Sequence, residues 1–299
     1  MGVVVLAFVG LTATPAAAQE FTPGSPGLGD PYFPLAGNGG YDVGHYALDF
    51  SYDPSTRQLD GTATISATAT QDLSRFDLDL RGFDIESLSV SGMPATFTRD
   101  GQELVITPAA GLVAGTAFTV VVGYQGVPSV VTDPDGSIEG WVPTADGAFV
   151  VGEPQGSPAW YPANDNPRDK ATYDFTITVP ADLTVMANGV LDSRTTVGDQ
   201  TTFVWRSISP MAPYLATATI GRFDLTETTL AGGLPSYVAV DPTLPKGNVL
   251  RKLPDIVEFY SSIYGPYPFE AVGAIVDDAK EVGYSLETQT KPNFPYVPN

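Results

Sequence analysis

The sequence predicts a mainly β protein: an antiparallel β-sandwich or saddle-shaped sheet, followed by a short C-terminal stretch of mixed α/β type. Three observations predict it. Apolar residues recur at every second position through many short segments. Gly and Pro are abundant, at 31 and 27 of 299 residues, and charged residues make up only 16%. Period-two alternation marks strands buried on one face, whereas helices repeat every 3.6 residues. Low charge with frequent turn formers suits short strands and tight turns better than a helical bundle.

Val3 to Ala13 is an uncharged apolar run, and Ala16-Ala17-Ala18 before Gln19 satisfies the small-x-small cleavage pattern. Residues 1–18 therefore read as an export signal, and the mature chain as secreted, extracellular or held at the cell envelope. The run is shorter than the roughly 20 apolar residues a membrane span needs. A signal also carries a basic leader, yet the first Lys or Arg is Arg57, so an atypical signal or a start further upstream is expected. Residues 19–40, rich in Gly and Pro, read as a leader into the first strand.

Residues 41–234 read as the β domain. Leu48, Phe50 and Tyr52 share one strand face. Thr62 to Thr70 alternates small apolar with hydroxyl residues, and Phe76, Leu78 and Leu80 alternate with Asp77 and Asp79. Further strands are predicted at 103–107, 118–124, 172–179, 201–205, 215–220 and 237–240, separated by turn dipeptides such as Asp100-Gly101, Asn188-Gly189 and Gly232-Gly233. Residues 235–299 change character. Pro254-Asp255-Ile256 opens a helix, Ile256, Phe259, Tyr260 and Ile263 follow at helical spacing, and Gly265 stops it. Strands are predicted at 271–276 and around 284–288.

Lys plus Arg is 14 and Asp plus Glu is 34, a net charge of −20. Such a surface disfavours nucleic acid as a partner. With no Cys and a single His, neither a disulfide nor a Cys/His zinc site can form within these residues. That His, His45, has no nucleophile motif beside it and reads as structural. The stretch Asp133 to Glu139 reads as a turn; it lacks the ligand series of a calcium loop. Asp277, Asp278 and Glu281 read as a solvated acidic loop, though paired carboxylates there leave open a glycosidase reading. Glu153 and Gln155 would face one side of an extended segment, beside a cluster of aromatics, amides and charges at 160–173 that reads equally as a functional site or as a structured turn held by an Asp165–Lys170 pair.

Three elements then stand out together. Trp160-Tyr161-Pro162-Ala163-Asn164-Asp165-Asn166-Pro167-Arg168-Asp169-Lys170-Ala171-Thr172 resembles the F-P-C-x-D-x-P-x-x-K-A-T element of the aminopeptidase N family, zinc exopeptidases of the gluzincin clan. Tyr264-Gly265-Pro266-Tyr267-Pro268-Phe269 resembles the lead into that family's catalytic domain. Gly283-Tyr284-Ser285-Leu286-Glu287-Thr288-Gln289 resembles a variant of its G-A-M-E-N exopeptidase motif. Their order and approximate spacing are the family's, over roughly residues 30–299.

The resemblance implies a β domain followed by the start of a thermolysin-like α/β catalytic domain. It implies that Glu287 binds the free α-ammonium of a peptide, so that cleavage is counted from the chain end. The backbone of Gly283, Tyr284, Ser285 and Leu286 would pair with the substrate as an added strand. Gln155 would assist from the β domain with an acceptor oxygen but without the charge that many relatives carry there. Tyr284 replaces the usual Gly. The family's zinc is held by H-E-x-x-H and a downstream Glu, none of which this sequence contains. The sequence is therefore expected to be the N-terminal portion of a secreted zinc aminopeptidase, itself inactive and without metal ligands. A non-catalytic secreted β-sandwich that works as a binding module is the alternative.

Overall fold

Tyr41–Asp53 is the strand on which the fold is built. In the computed structural model, which describes residues 19–245 and 249–297, its alternation breaks once. The pairing with Gln58–Ala69 shifts between Val43 and His45. Tyr41 and Val43, then Tyr46, Leu48, Phe50 and Tyr52, all point inward and are buried. One extra residue resets a period-two pattern, which is what a bulge does.

This strand lies at the centre of an eight-stranded sheet. Gln58–Ala69 pairs with it antiparallel, and Ala171–Pro180 pairs with it parallel. The sheet is thus mixed rather than wholly antiparallel as expected. A parallel neighbour requires a long return of the chain, and residues 54–170 supply it by building two further sheets.

Both smaller sheets close the inward face. The five-stranded one orders Val130–Thr132, Ile138–Pro143, Ala148–Val151, Ala218–Gly221 and Thr184–Ala187. Its Trp141 ring lies 6.1 Å from Phe50 and 4.9 Å from Tyr52, edge to face. The four-stranded one orders Thr22–Pro23, Leu73–Asp79, Glu103–Thr107 and Thr96–Asp100. There Phe76 meets Tyr41 at 5.5 Å and Phe118 at 5.3 Å. Aromatic pairs at such spacings add to the area they bury.

The five-stranded sheet is covered on both sides. Ala148, Val150 and Trp141 belong to the main core, while Phe149, Val151 and Val142 pack with Ala279, Val282 and Leu286 in a second cluster. Ala148–Val151 is therefore apolar at every position, and the alternation that signals a half-buried strand is missing.

The C-terminal sheet orders Asp224–Thr229, Pro235–Val240, Val272–Val276 and Asn293–Phe294. Its last three strands run parallel, with the helix Leu253–Tyr264 lying in the chain between the first two of them. The hairpin of Asp224–Thr229 with Pro235–Val240 joins residues on both sides of position 234, where the change of character was expected. The helix buries no residue, and Phe259, Tyr260, Ile263 and Tyr264 are each more than half exposed. Gly265 ends it at φ 95°, its N–H donating to Ser261 O at 3.1 Å.

Two expected strands are corrected. Within 215–220, Pro213–Leu215 forms a 3-10 turn and the strand begins only at Ala218; proline presets the turn by fixing φ. Residues 284–288 form a loop with a single bridge, Leu286 to Asn293. Left-handed Gly283 (φ 78°) and Thr290 (φ 73°) bracket it and bend the chain out of extended form. The predicted export signal, 1–18, lies outside the described residues.

Candidate substrate-amine site

Ile138–Pro143 brings Glu139 into the interior with no exposed surface. Its two carboxyl oxygens lie 3.2 and 3.1 Å from the backbone nitrogen of Gln155. Burial, then the neighbouring Asp133 charge, pushes Glu139 up to about 9. At neutral pH it carries a proton, because two adjacent carboxyls do not both ionise when desolvated.

Gln155 is half-buried and held at both ends of its amide. Nε2 donates to Asp133 Oδ1 at 3.1 Å, and Oε1 accepts from Arg81 Nη2 at 3.2 Å. A guanidinium only donates and a carboxylate only accepts, so these partners fix which way the amide points. Residues 153–156 form a turn that runs into the 3-10 helix Ser157–Ala159. The extended segment expected here is not formed. Glu153 is exposed while Gln155 turns inward.

The exopeptidase-like segment docks against this turn. Val282 and Leu286 are buried on the outer face of the five-stranded sheet. The Tyr284 hydroxyl lies 3.2 Å from Ile138 O, to which it donates, and 3.5 Å from Glu153 O. Burial first, and then the Glu139 and Glu153 charges, push the Tyr284 phenol up, so it remains a donor. Ser285 is half-buried, and Gly283 and Glu287 are exposed. Leu286 N–H donates to Asn293 O at 3.0 Å, and Leu286 O accepts from Asn293 N–H at 2.8 Å. Its backbone is thus already paired, which leaves the pairing expected with substrate to Gly283, Tyr284 and Ser285.

A dense mount follows Glu287. Asn188 Nδ2 donates to Gln289 O at 2.7 Å, Gly189 N–H to Thr290 Oγ1 at 2.9 Å, and Asn293 Nδ2 to Val150 O at 2.8 Å. Lys291, fully buried, donates to Gly189 O and lies over the rings of Trp205 (4.5 Å) and Tyr237 (5.0 Å).

Other sequence candidates take different roles. The expected Asp165–Lys170 pair does not form: Lys170 is exposed, while Asp165 is buried with its N–H on Asp79 Oδ2 at 2.8 Å. His45 Nδ1 lies 2.8 Å from Thr172 Oγ1, and its Nε2 lies 3.9 Å from Asp174 Oδ2. Asp277 is not solvated; it is 2% exposed and raised to about 7 by burial. Asp278 does face solvent, paired with Lys280 at 2.6 Å. Asp133 caps the turn through its N–H on Ser137 O at 2.9 Å.

Sequence reasoning missed Glu139, Asp133 and Arg81 as partners of Gln155. One signal was available: the acid in Ile138-Glu139-Gly140-Trp141-Val142 interrupts an otherwise apolar stretch, as a buried polar anchor does. Arg81 carried no local signal, since it reaches Gln155 only through the fold.

No group of three or more His, Cys, Asp or Glu side chains among the described residues could hold a metal ion. The zinc that the resemblance implies therefore finds no fitting donor set among the described residues. No helix among them is long and apolar enough to cross a membrane.

The described residues thus form a β domain of stacked sheets and a mixed C-terminal sheet, with the Gln155 turn held against the Gly-Tyr-Ser-Leu-Glu segment. The family model of the Peptidase M1 N-terminal domain matches residues 43–215, more than half of the chain, and the chain belongs to that family. Solved structures agree. A mutant two-domain M1 zinc metallopeptidase bound to L-arginine is 26% identical at a TM-score of 0.83, over 90% of this chain and 63% of that one. A mutant M1 zinc metallopeptidase from Deinococcus radiodurans bound to a Tyr-Ser-Ala substrate matches with the same values. The unmutated Deinococcus radiodurans M1 zinc metallopeptidase, also 26% identical, matches at 0.81 over 90% and 63%. The chain thus spans about 63% of the length of these structures.

Proposed function

We propose that this chain is the N-terminal portion of a secreted, zinc-dependent aminopeptidase and contributes the site that grips a peptide's free amino end. The observation that carries this reading is the docking of the exopeptidase-like segment on the Gln155 turn through the Tyr284 hydroxyl. That docking supports reading the Gln155 turn and the Glu287 segment as two parts of one amine-recognition site. Glu287, exposed at the end of that segment, supplies the charge for an α-ammonium. Gln155 supplies a neutral acceptor from the β domain. Gly283, Tyr284 and Ser285 offer backbone for pairing, and Leu286 anchors the segment from beneath.

Family membership and the metallopeptidase neighbours support a peptidase, and the described residues supply no zinc ligands. The chain alone is therefore expected to bind amine termini and to hydrolyse nothing. The test compares L-leucinamide with N-acetyl-L-leucinamide by NMR titration of the chain at pH 6, where the free amine is protonated. The free amine should bind more tightly, and Glu287→Gln should sharply reduce the preference. Equal binding of both ligands by the wild type refutes the amine site. Release of leucine from a leucyl substrate by the chain plus zinc refutes its inactivity.

A further inference from the structure

Gln155 raises a physical difficulty for an amine site. Its side chain is neutral, and its acceptor oxygen already takes a hydrogen bond from Arg81, a full positive charge. A second cation would approach that oxygen against repulsion unless a negative charge stands close by.

The structure holds such a charge. Asp133 is 8% exposed, and its Oδ1 accepts from Gln155 Nε2. Its Oδ2 is buried with no hydrogen-bond partner among the described residues. Across the hairpin, Glu139 pairs with Val131, and Asp133 directly follows the end of that opposing strand, Val130–Thr132. Both acids hold Gln155, Glu139 through its backbone N–H and Asp133 through its side-chain amide. Burial and the Asp133 charge keep Glu139 protonated at neutral pH, so the pair holds one proton and one negative charge, and both Glu139 oxygens lie within reach of the Gln155 N–H.

We propose that Asp133 and Glu139 are positioning residues that lock the Gln155 turn and seat one carboxylate charge against its amide, so that the site selects a cationic terminus although residue 155 is itself neutral. The inference rests on the amine-site reading above and extends it to two residues that touch Gln155, not the ligand. Each acid has a distinct task. Glu139 fixes the backbone of Gln155 from inside the sheet. Asp133 fixes the amide and offsets Arg81. Around the pair, Asp165 acts on Glu139, Arg81 contacts Gln155, and the Tyr284 hydroxyl senses both acids together with Glu153 and Asp135.

The same ligand pair tests the proposal. Asp133→Asn keeps the shape and removes the charge. It should weaken free-amine binding by about fivefold, the scale of one charge a few ångströms away at a surface cleft. N-acetyl binding and the melting temperature should stay unchanged. Equal weakening of both ligands would mean that Asp133 is merely structural, and the proposal fails. A second readout stands apart from ligand binding: the side-chain amide NMR signals of Gln155 and the exchange rate of its backbone N–H. Asp133→Asn should shift or broaden the former, and Glu139→Gln should speed the latter at least several-fold. If the wild type discriminates no ligand, the amine-site reading falls, and these signals still decide the positioning. Gln155 signals unchanged in both variants would overturn it.

Discussion

At the residue scale, the segment bearing Glu287 owes its placement to side chains reaching across the fold. Gly189 is the sharpest example. It sits at φ +80°, and a Cβ there would stand 1.9 Å from Arg206 O. It also gives its N–H to Thr290 and its carbonyl to Lys291. Gly189→Ala is thus expected to cost about 2–4 kcal/mol through backbone strain and displacement. Chemical denaturation would check it, and a loss under 1 kcal/mol would show that the turn relaxes freely. Lys291 is buried between Trp205 and Tyr237 with no carboxylate ion pair among the described residues, and burial holds its ammonium well below the usual lysine range. Replacing a buried charge with an apolar side chain of similar volume is often neutral. Lys291→Met should therefore change stability by no more than about 1 kcal/mol, while Lys291→Ala, which leaves a cavity, should cost about 2–4 kcal/mol. Equal losses would mean that the charge itself is what matters.

At the element scale, the chain after Asp241 is uneven. Val272–Val276 is buried at every position, whereas the helix Leu253–Tyr264 buries none. A helix of twelve residues gains little from propensity alone and depends on tertiary packing. Amide exchange should be fast through the helix and slow through Val272–Val276. Comparable protection in both would overturn this contrast. Likewise, Phe259→Ala should shift stability by less than about 0.5 kcal/mol, as at other exposed positions. Ile275→Ala, in the buried strand, should cost about 2–5 kcal/mol.

At the scale of the whole molecule, pH dependence follows from the buried acids. Burial raises Asp79, Asp169 and Asp277 to about 7, Glu103 to about 8 and Glu139 to about 9. A carboxyl whose folded value lies above its unfolded one holds a proton that the unfolded chain releases. Its contribution is fully present below about pH 4 and is lost as pH rises through the folded value. Lys291 acts the other way, losing its contribution as pH falls through its lowered value. Burial raises Asp49, Asp77 and Asp165 as well, so one lysine stands against eight acids among the described residues, and the net charge of −20 adds self-repulsion as pH rises. The melting temperature should therefore be higher at pH 5.5 than at pH 8, and a flat or reversed dependence would contradict these assignments.

The sequence by itself determined the β class, most strands, the helix and its Gly265 stop. Each is written in local periodicity and capping, which depend on near neighbours alone. Leu48, Phe50 and Tyr52 were legible as one face because their strand is half-buried; Ile138–Pro143 and Ala148–Val151 were not, because burial on both faces erases the alternation. Glu287 and Gln155 could be singled out by motif. Their partners could not. Only the tertiary structure decided that Asp165 turns inward to Asp79 instead of pairing with Lys170, and that Leu286 spends its backbone on Asn293. It alone set Arg81, Asp133 and Glu139 around Gln155. These contacts join residues from seven to 86 positions apart; they are fixed by how the sheets stack and the loops fold back, which leaves no periodic trace in the chain.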